Sequence, residues 1–141
     1  MSWEKEVEEL KRRQKLAETM GGPEKLKRQK DGGKLNVRER IAALLDKGSF
    51  REVGKLGGVG HYDAKGNLTG FVPANILFGR GRIEGRPIVV QADDFTVRGG
   101  AADASLHGKL IQSEKLANEY RLPLVRLIEG TGGGGSVKTL E

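Results

Sequence analysis

The sequence contains no cysteine among its 141 residues. Disulfide bonds, thiolate catalysis and zinc sites built from cysteine are therefore excluded, and nothing in the chain requires an oxidising compartment. Histidine is almost as scarce, because His61 and His107 are the only two, and neither has ligand spacing to a second histidine or carboxylate. We therefore expect no metal site.

Aromatic residues and long apolar runs are also scarce. Aromatic side chains make up 5% of the chain, and none lies in the basic run from Lys11 to Lys30, which argues against a nucleic-acid-binding surface. No apolar run approaches the roughly 20 residues that a membrane helix needs. The first residues also lack the apolar core of a signal peptide. We expect a protein of the cytoplasm, or of the mitochondrial matrix if eukaryotic, with neither membrane nor nucleic acid as its partner.

Positive charge is concentrated in the first third of the chain. Residues 1–51 contain 14 Lys and Arg against 9 Asp and Glu, whereas residues 52–141 contain 11 against 10. Such a basic arm suits an anionic cofactor or an acidic partner subunit, and it is equally typical of a solvated helix face. The length is right for one domain of modest size.

Periodicity and capping signals predict three helices in residues 1–49. The first, over residues 4–20, is amphipathic, and the Gly-Gly-Pro at residues 21–23 ends it and begins the second. Asn36 and Glu39 form a capping-box pattern for the third, which we expect to end at Gly48. We treat residues 1–49 as a helical arm and residues 50–141 as the start of the domain. The apolar face of the first helix consists of Trp3, Val7, Leu10 and Ala17.

After residue 49 the pattern changes to short extended runs separated by glycine. A Glu84-Gly85 turn predicts a hairpin, and residues 87–129 predict a βαβ unit with parallel strands. The helix of that unit is predicted over residues 101–121, with Leu106, Leu110, Ala117 and Tyr120 on one face. The strands are predicted in FREVG (50–54), LTGFV (68–72), NILFGRGRI (75–83), RPIVVQA (86–92) and LPLVRLI (122–128).

Two glycine-bearing loops follow the strands of this unit, at residues 93–103 and 130–135. Open α/β sheets place ligand sites beyond the carboxyl ends of their strands, so loops at adjacent ends would face a common groove. By pattern alone, Gly99 and Gly100 favour a turn and a cap. Asp93 and Asp94 favour turn caps over a paired acid and base, because adjacent strand residues point to opposite sides.

The glycine run in GTGGGGSVK has three possible interpretations: a flexible tether, a phosphate-binding loop or an oxyanion hole. GGGGS is typical of a flexible tether. A phosphate-binding loop would need a Lys-Ser or Lys-Thr pair after the last glycine, and here the order is reversed. Free backbone N–H groups at the end of a strand can also form an oxyanion hole, where each donor is worth roughly 3–4 kcal/mol of barrier.

Three segments together resemble a known family. GGKLNVRERIAALLDKGSF (32–50), GRIEGRPIVVQADDFTVRGG (81–100) and RLPLVRLIEGTGGGG (121–135) are similar to the N-terminal part of the carboxyltransferase β subunits of biotin-dependent acyl-CoA carboxylases, of the propionyl-CoA and methylcrotonyl-CoA type. The resemblance implies an α/β crotonase-like fold, a spiral of βαβ units. It also implies transfer of a carboxyl group from carboxybiotin to the α-carbon of an acyl-CoA.

The resemblance also implies site residues. A glycine pair after a core strand holds the thioester enolate in the family, which points to Gly132, Gly133 and Gly134, although ungapped counting from Pro123 gives Thr131 and Gly132 instead. The groove for acyl-CoA would be lined by Val97, Arg98, Gly99 and Gly100. Basic residues of the arm would meet the CoA phosphates or another subunit.

Family members run to several hundred residues, with two crotonase-like halves, the second of which binds biotin, so we expect this chain to be a fragment without turnover of its own. The implied partners are acyl-CoA, a subunit that carries biotin carboxylase and biotin carrier functions, and further copies of the chain. Two other functions stay open, which are a biotin-dependent decarboxylase of the same fold and a non-catalytic assembly module.

Overall fold

The computed structural model describes residues 2–100 and 107–130. Three helices come first, and strands dominate the remainder. The helices are α1 (Glu4–Ala17), α2 (Pro23–Asp31), α3 (Val37–Leu44) and α4 (His107–Tyr120). The strands are β1 (Arg51–Val53), β2 (Gly58–Tyr62), β3 (Leu68–Pro73), β4 (Ile76–Ile83), β5 (Arg86–Asp93) and β6 (Leu124–Leu127). A short 3-10 turn spans Arg98–Gly100.

The main sheet has the strand order β1-β4-β5-β6. Strands β4 and β5 pair antiparallel through the predicted hairpin, whose turn residues Glu84 and Gly85 both have positive φ, 50° and 78°. Strand β6 pairs parallel with β5, from Val89 opposite Leu124 to Ala92 opposite Leu127. The predicted parallel βαβ unit is therefore confirmed. Strands β2 and β3 form a separate antiparallel pair.

The core lies between α3 and the main sheet. Strand β5 is buried on both faces, as expected for a central strand of an α/β sheet. Alternate residues of β5 face α3, and the side chain of Gln91 on the other face accepts a 2.7 Å hydrogen bond from the hydroxyl of Ser113 on α4. The cluster beneath α3 consists of Val37, Ile41, Leu45, Leu77, Ile88, Val90 and Ala92.

The third helix begins as predicted and ends earlier. Asn36 accepts hydrogen bonds from the N–H groups of Arg38 and Glu39, and the Glu39 carboxylate accepts one from the N–H of Asn36, so the capping box is confirmed. The helix ends at Leu44 rather than near Gly48. The physical reason is Asp46, whose carboxylate instead accepts from the backbone N–H groups of the Glu84-Gly85 turn at 2.9 and 2.8 Å.

The first helix also ends early, at Ala17 rather than Met20, because its last bonds tighten to the i→i−3 type. Of its predicted apolar face only Ala17 is buried, whereas Trp3, Val7 and Leu10 are exposed. On the predicted apolar face of α4, Ala117 is buried and Tyr120 is exposed, with the Arg80 guanidinium 5.0 Å from the Tyr120 ring centre.

Strand β2 was not predicted, because the glycine-rich GVGHY has no apolar alternation and depends on pairing with β3. Across residues 2–100 and 107–130, no helix combines the length and the apolar character needed to cross a bilayer.

Candidate functional site

The loops that follow β5 and β6 lie at the same edge of the sheet, because the two strands are parallel neighbours in register. They approach closely there. A Cβ built on Gly100 would lie 2.2 Å from the carbonyl oxygen of Glu129, a distance that no side chain tolerates. Gly100 also has a φ of 64°, so both the contact and the backbone conformation require glycine at this position.

Asp94 and Thr96 shape the first of these loops. The Asp94 carboxylate accepts hydrogen bonds from the N–H of Thr96 at 2.9 Å and from its hydroxyl at 2.6 Å. The Thr96 hydroxyl in turn accepts from the backbone N–H of Gly21 at 2.9 Å, in the turn between α1 and α2. The helical arm is therefore fastened directly to the loop that follows β5.

Asp93 and Asp94 have separate partners; Asp94 caps its own turn, as predicted, whereas the Asp93 carboxylate contacts the loop after β6 and does not cap a turn. Asp93 accepts a 3.2 Å hydrogen bond from the backbone N–H of Glu129. Burial raises the pKa of both carboxyls. The hydrogen bond from Glu129 to Asp93 and the hydrogen bonds from Thr96 to Asp94 lower these pKa values only in part. The second carboxylate oxygen of Asp94 has no partner among the described residues.

The four residues predicted to line the acyl-CoA groove form one tight turn. The N–H of Gly100 donates to the carbonyl of Val97 at 3.1 Å. Arg98 and Gly99 both have positive φ, 53° and 66°, and the Val97 side chain is buried. Gly99 lies at the wall of a pocket. The contact of these residues with acyl-CoA stays a prediction.

That pocket lies between α2 and the loop after β5 and has a volume of about 350 Å³. Three of its lining side chains are cationic, and one, Lys34, lies over the Phe95 ring with its ammonium 5.6 Å from the ring centre. Such a surface attracts a phosphate-bearing ligand. The lining residues are Lys25, Arg28, Gln29, Gly32, Lys34, Phe95, Thr96 and Gly99.

The predicted oxyanion residues Gly132, Gly133 and Gly134 lie outside the described residues. The strand that leads to them, β6, is in its predicted place beside β5. Within the described part of the chain no group of histidine, aspartate and glutamate side chains could hold a metal ion.

Sequence reasoning missed the residues that tie the arm to the two loops, namely Gly21, Thr96, Arg40 and Glu129. Arg40 and Glu129 each stand in a motif of the resemblance, and Glu129 directly precedes the glycine run. Their partners are 53 to 100 positions away along the chain, so no local pattern predicts the contacts.

Comparisons with known proteins agree with this architecture. The model of the carboxyl transferase domain family matches residues 28–139. The carboxyltransferase subunit of propionyl-CoA carboxylase from Haloferax mediterranei is 30% identical, over 94% of this chain and 26% of its own length. The mitochondrial methylcrotonoyl-CoA carboxylase β chain of Dictyostelium discoideum is 38% identical, over 80% of this chain and 19% of its own length.

A solved structure agrees as well. The transcarboxylase 12S hexamer, with methylmalonyl-CoA and methylmalonic acid bound, is 33% identical and has a TM-score of 0.79, over 94% of this chain and 26% of the 12S chain. This chain thus spans 19% to 26% of the length of these relatives. The predicted crotonase-like α/β fold is confirmed, and the chain belongs to the carboxyl transferase domain family, with the β subunits of biotin-dependent acyl-CoA carboxylases among its relatives.

Proposed function

We propose that this chain is the acyl-CoA-binding part of a carboxyltransferase that moves a carboxyl group from carboxybiotin to the α-carbon of an acyl-CoA. The single observation that carries the proposal is the meeting of two loops at one sheet edge, where Gly100 lies against Glu129 at the entry to the glycine run. In this arrangement the thioester carbonyl lies at the end of β6. Domain boundaries at residues 1–49 and 50–141 are part of the same proposal.

The glycine run acts through its backbone. In the overall exchange the C–H bond at the α-carbon breaks and a C–C bond to the carboxyl carbon forms, while the N–C bond of carboxybiotin breaks and its nitrogen ends with the proton. As the α-carbon loses its proton, negative charge develops on the thioester oxygen, and N–H groups of Gly132, Gly133 and Gly134 donate to that oxygen. Preorganised donors of this kind stabilise the enolate more than the neutral thioester, which is the condition for catalysis. Carboxybiotin supplies the carboxyl group and arrives on a partner carrier, so it is a substrate here and we assign no residue of this chain to hold it.

The basic pocket beside the loop binds the phosphates of CoA. Lys25 and Arg28 on α2 and Lys34 after it present three positive charges next to Gly99. The exposed face of Phe95 offers an apolar surface for the planar adenine, with Lys34 over the ring. The acyl thioester then extends from this pocket toward the ends of β5 and β6.

Titration with propionyl-CoA, free CoA and ATP tests the function. We expect propionyl-CoA to bind more tightly than free CoA, and ATP to bind more weakly than either. The double variant Lys25→Ala/Arg28→Ala should weaken binding of both CoA ligands by about tenfold, since both side chains are exposed and solvent screening reduces each phosphate contact to about 0.7 kcal/mol. A matched control, Lys5→Ala/Lys11→Ala, removes the same charge from exposed positions on α1 and should change affinity by less than about twofold. Equal affinity for ATP and propionyl-CoA would contradict the proposal.

A second candidate is an assembly module, which the exposed face of α1 favours. Trp3, Val7 and Leu10 lie on one side of the helix and are 70%, 44% and 45% exposed, and such a face is typical of a protein–protein contact. In this case the arm docks to another subunit and the glycine run is a tether. Absence of any acyl-CoA binding, together with association that Trp3→Ala and Leu10→Ala abolish, would favour this alternative.

A further inference from the structure

Arg40 joins the carboxyl ends of the two parallel strands. Its guanidinium donates to the carbonyl of Asp93, the last residue of β5, and to the carbonyl of Leu127, the last residue of β6, at 3.4 Å. The same group forms an ion pair with the Glu129 carboxylate at 3.1 Å. A planar guanidinium with five N–H donors can satisfy three acceptors at once, which an ammonium group on one atom cannot do in this geometry.

Glu129 is held from several directions. Besides Arg40, its carboxylate accepts from the Gln29 amide at 3.1 Å and from the Lys34 ammonium at 3.5 Å. Its backbone N–H donates to Asp93 at 3.2 Å, and its carbonyl oxygen lies against Gly100. The carboxylate and the backbone N–H of Glu129 are therefore both engaged at the position where the chain leaves β6 for the glycine run.

We call the contacts of Arg40 with Asp93, Leu127 and Glu129 the clamp. Arg40 lies on a helix that is firmly held by the rest of the fold. The capping box fixes the start of α3, and Val37 and Ile41 of this helix are almost fully buried, so Arg40 extends from an element with little freedom to move. The Arg40 and Glu129 side chains are 19% and 18% exposed. Such low exposure reduces solvent screening of the ion pair compared with the exposed pairs on the helices.

We propose that Arg40 and Glu129 are positioning residues that hold the carboxyl ends of β5 and β6 together and fix the backbone at Glu129, the residue from which the chain continues into the proposed acyl site. This inference rests on the proposed function. It makes the arm part of the acyl site, because Arg40, Gln29 and Lys34 all come from the first 40 residues. Selectivity for a thioester over free CoA is then a property of the clamp, whereas affinity for CoA itself belongs to the basic pocket.

The test compares two conservative variants with one control. Arg40→Lys keeps the positive charge but loses the planar guanidinium and its several N–H donors. Glu129→Gln keeps the shape of the side chain but loses its negative charge. The control, Glu114→Gln, breaks the exposed pair between Glu114 on α4 and Arg126 on β6, an ion pair on the same strand that includes neither Arg40 nor Glu129. For each protein we would measure affinity for propionyl-CoA and for free CoA, the thermal midpoint, and amide hydrogen exchange at residues 130–135 in the complex.

We expect Arg40→Lys and Glu129→Gln each to lower the affinity for propionyl-CoA by about fivefold, which corresponds to the loss of about one hydrogen bond. Affinity of Arg40→Lys for free CoA should stay within about twofold, and exchange at residues 130–135 should accelerate in both variants. Equal losses of affinity for propionyl-CoA and free CoA, or the same loss of selectivity in Glu114→Gln, would overturn the proposed role of Arg40 and Glu129. If the unmodified protein itself binds propionyl-CoA and free CoA equally, the proposed function fails. The positioning role of Arg40 is then tested by hydrogen exchange alone. An unchanged exchange rate at residues 130–135 in Arg40→Lys would overturn it.

Discussion

Replacement of Gly21 by alanine tests how tightly the helical arm is joined to the loop that follows β5. A Cβ at this position would lie 1.9 Å from the carbonyl oxygen of Thr96 and 2.4 Å from its carbonyl carbon. Ordinary contacts of a Cβ begin near 3.4 Å, so the turn and the loop must separate by roughly 1.5 Å. That displacement also breaks the 2.9 Å hydrogen bond from the Gly21 N–H to the Thr96 hydroxyl.

The cost of Gly21→Ala follows from these two effects. Loss of the hydrogen bond costs about 1 kcal/mol, and forced overpacking costs about 1–3 kcal/mol, so the free energy of unfolding should fall by about 2–4 kcal/mol. Urea unfolding followed by circular dichroism measures this. The matched control is Gly32→Ala, where the nearest atom would be 3.4 Å away and φ is −78°, and where we expect a change of less than about 1 kcal/mol. Equal stability of the two variants would refute the reasoning.

Three further predictions concern other parts of the molecule. Asn36→Ala removes the capping box of α3 and should lower the free energy of unfolding by about 1–2 kcal/mol in urea titrations, and a loss below about 0.3 kcal/mol would contradict it. Burial raises the pKa of Asp94, so ionisation destabilises the fold and this part of the stability is lost as pH rises above the ordinary carboxyl range. Asp94→Asn lacks this titration, so the stability advantage of the unmodified protein over the variant should shrink with rising pH, and an increasing advantage would be the contrary result. Strand β6 lies at the edge of the described sheet and the neighbouring Ile128 is 75% exposed, so size-exclusion chromatography at micromolar concentration should show self-association rather than a clean monomer.

Local signals predicted much of the fold. The Asn36 capping box, the Glu84-Gly85 hairpin and the parallel βαβ unit depend on residues near one another in sequence, and all three are present. Helix ends were less predictable, because Asp46 prefers backbone N–H groups of the distant hairpin turn to a further turn of α3. Strand β2 was missed because its pairing with β3, and not its composition, makes it a strand.

The sheet edge that carries the candidate site was predictable, but the contacts at that edge were not. The parallel strands and the glycines after them predicted which edge of the sheet the two loops share. At that edge, the carbonyl oxygen of Glu129 lies 2.2 Å from the Cβ position of Gly100. The contacts of Arg40 and Glu129 with the strand ends arise only when the arm folds across the sheet. Tertiary contacts of this kind carry no periodic signature, and the motif that contains Arg40 predicted only a helix.

The central claim is that main-chain donors after β6 receive the oxygen of an acyl thioester. Amide NMR of the ¹⁵N-labelled chain tests it directly, with propionyl-CoA compared against its S-propyl thioether, which fills the same space and lacks the carbonyl. We predict that propionyl-CoA shifts the amide resonances of Gly132, Gly133 and Gly134 and that the thioether leaves them near their free positions. Identical shifts with both ligands, or none with either while the basic pocket responds, would contradict the account.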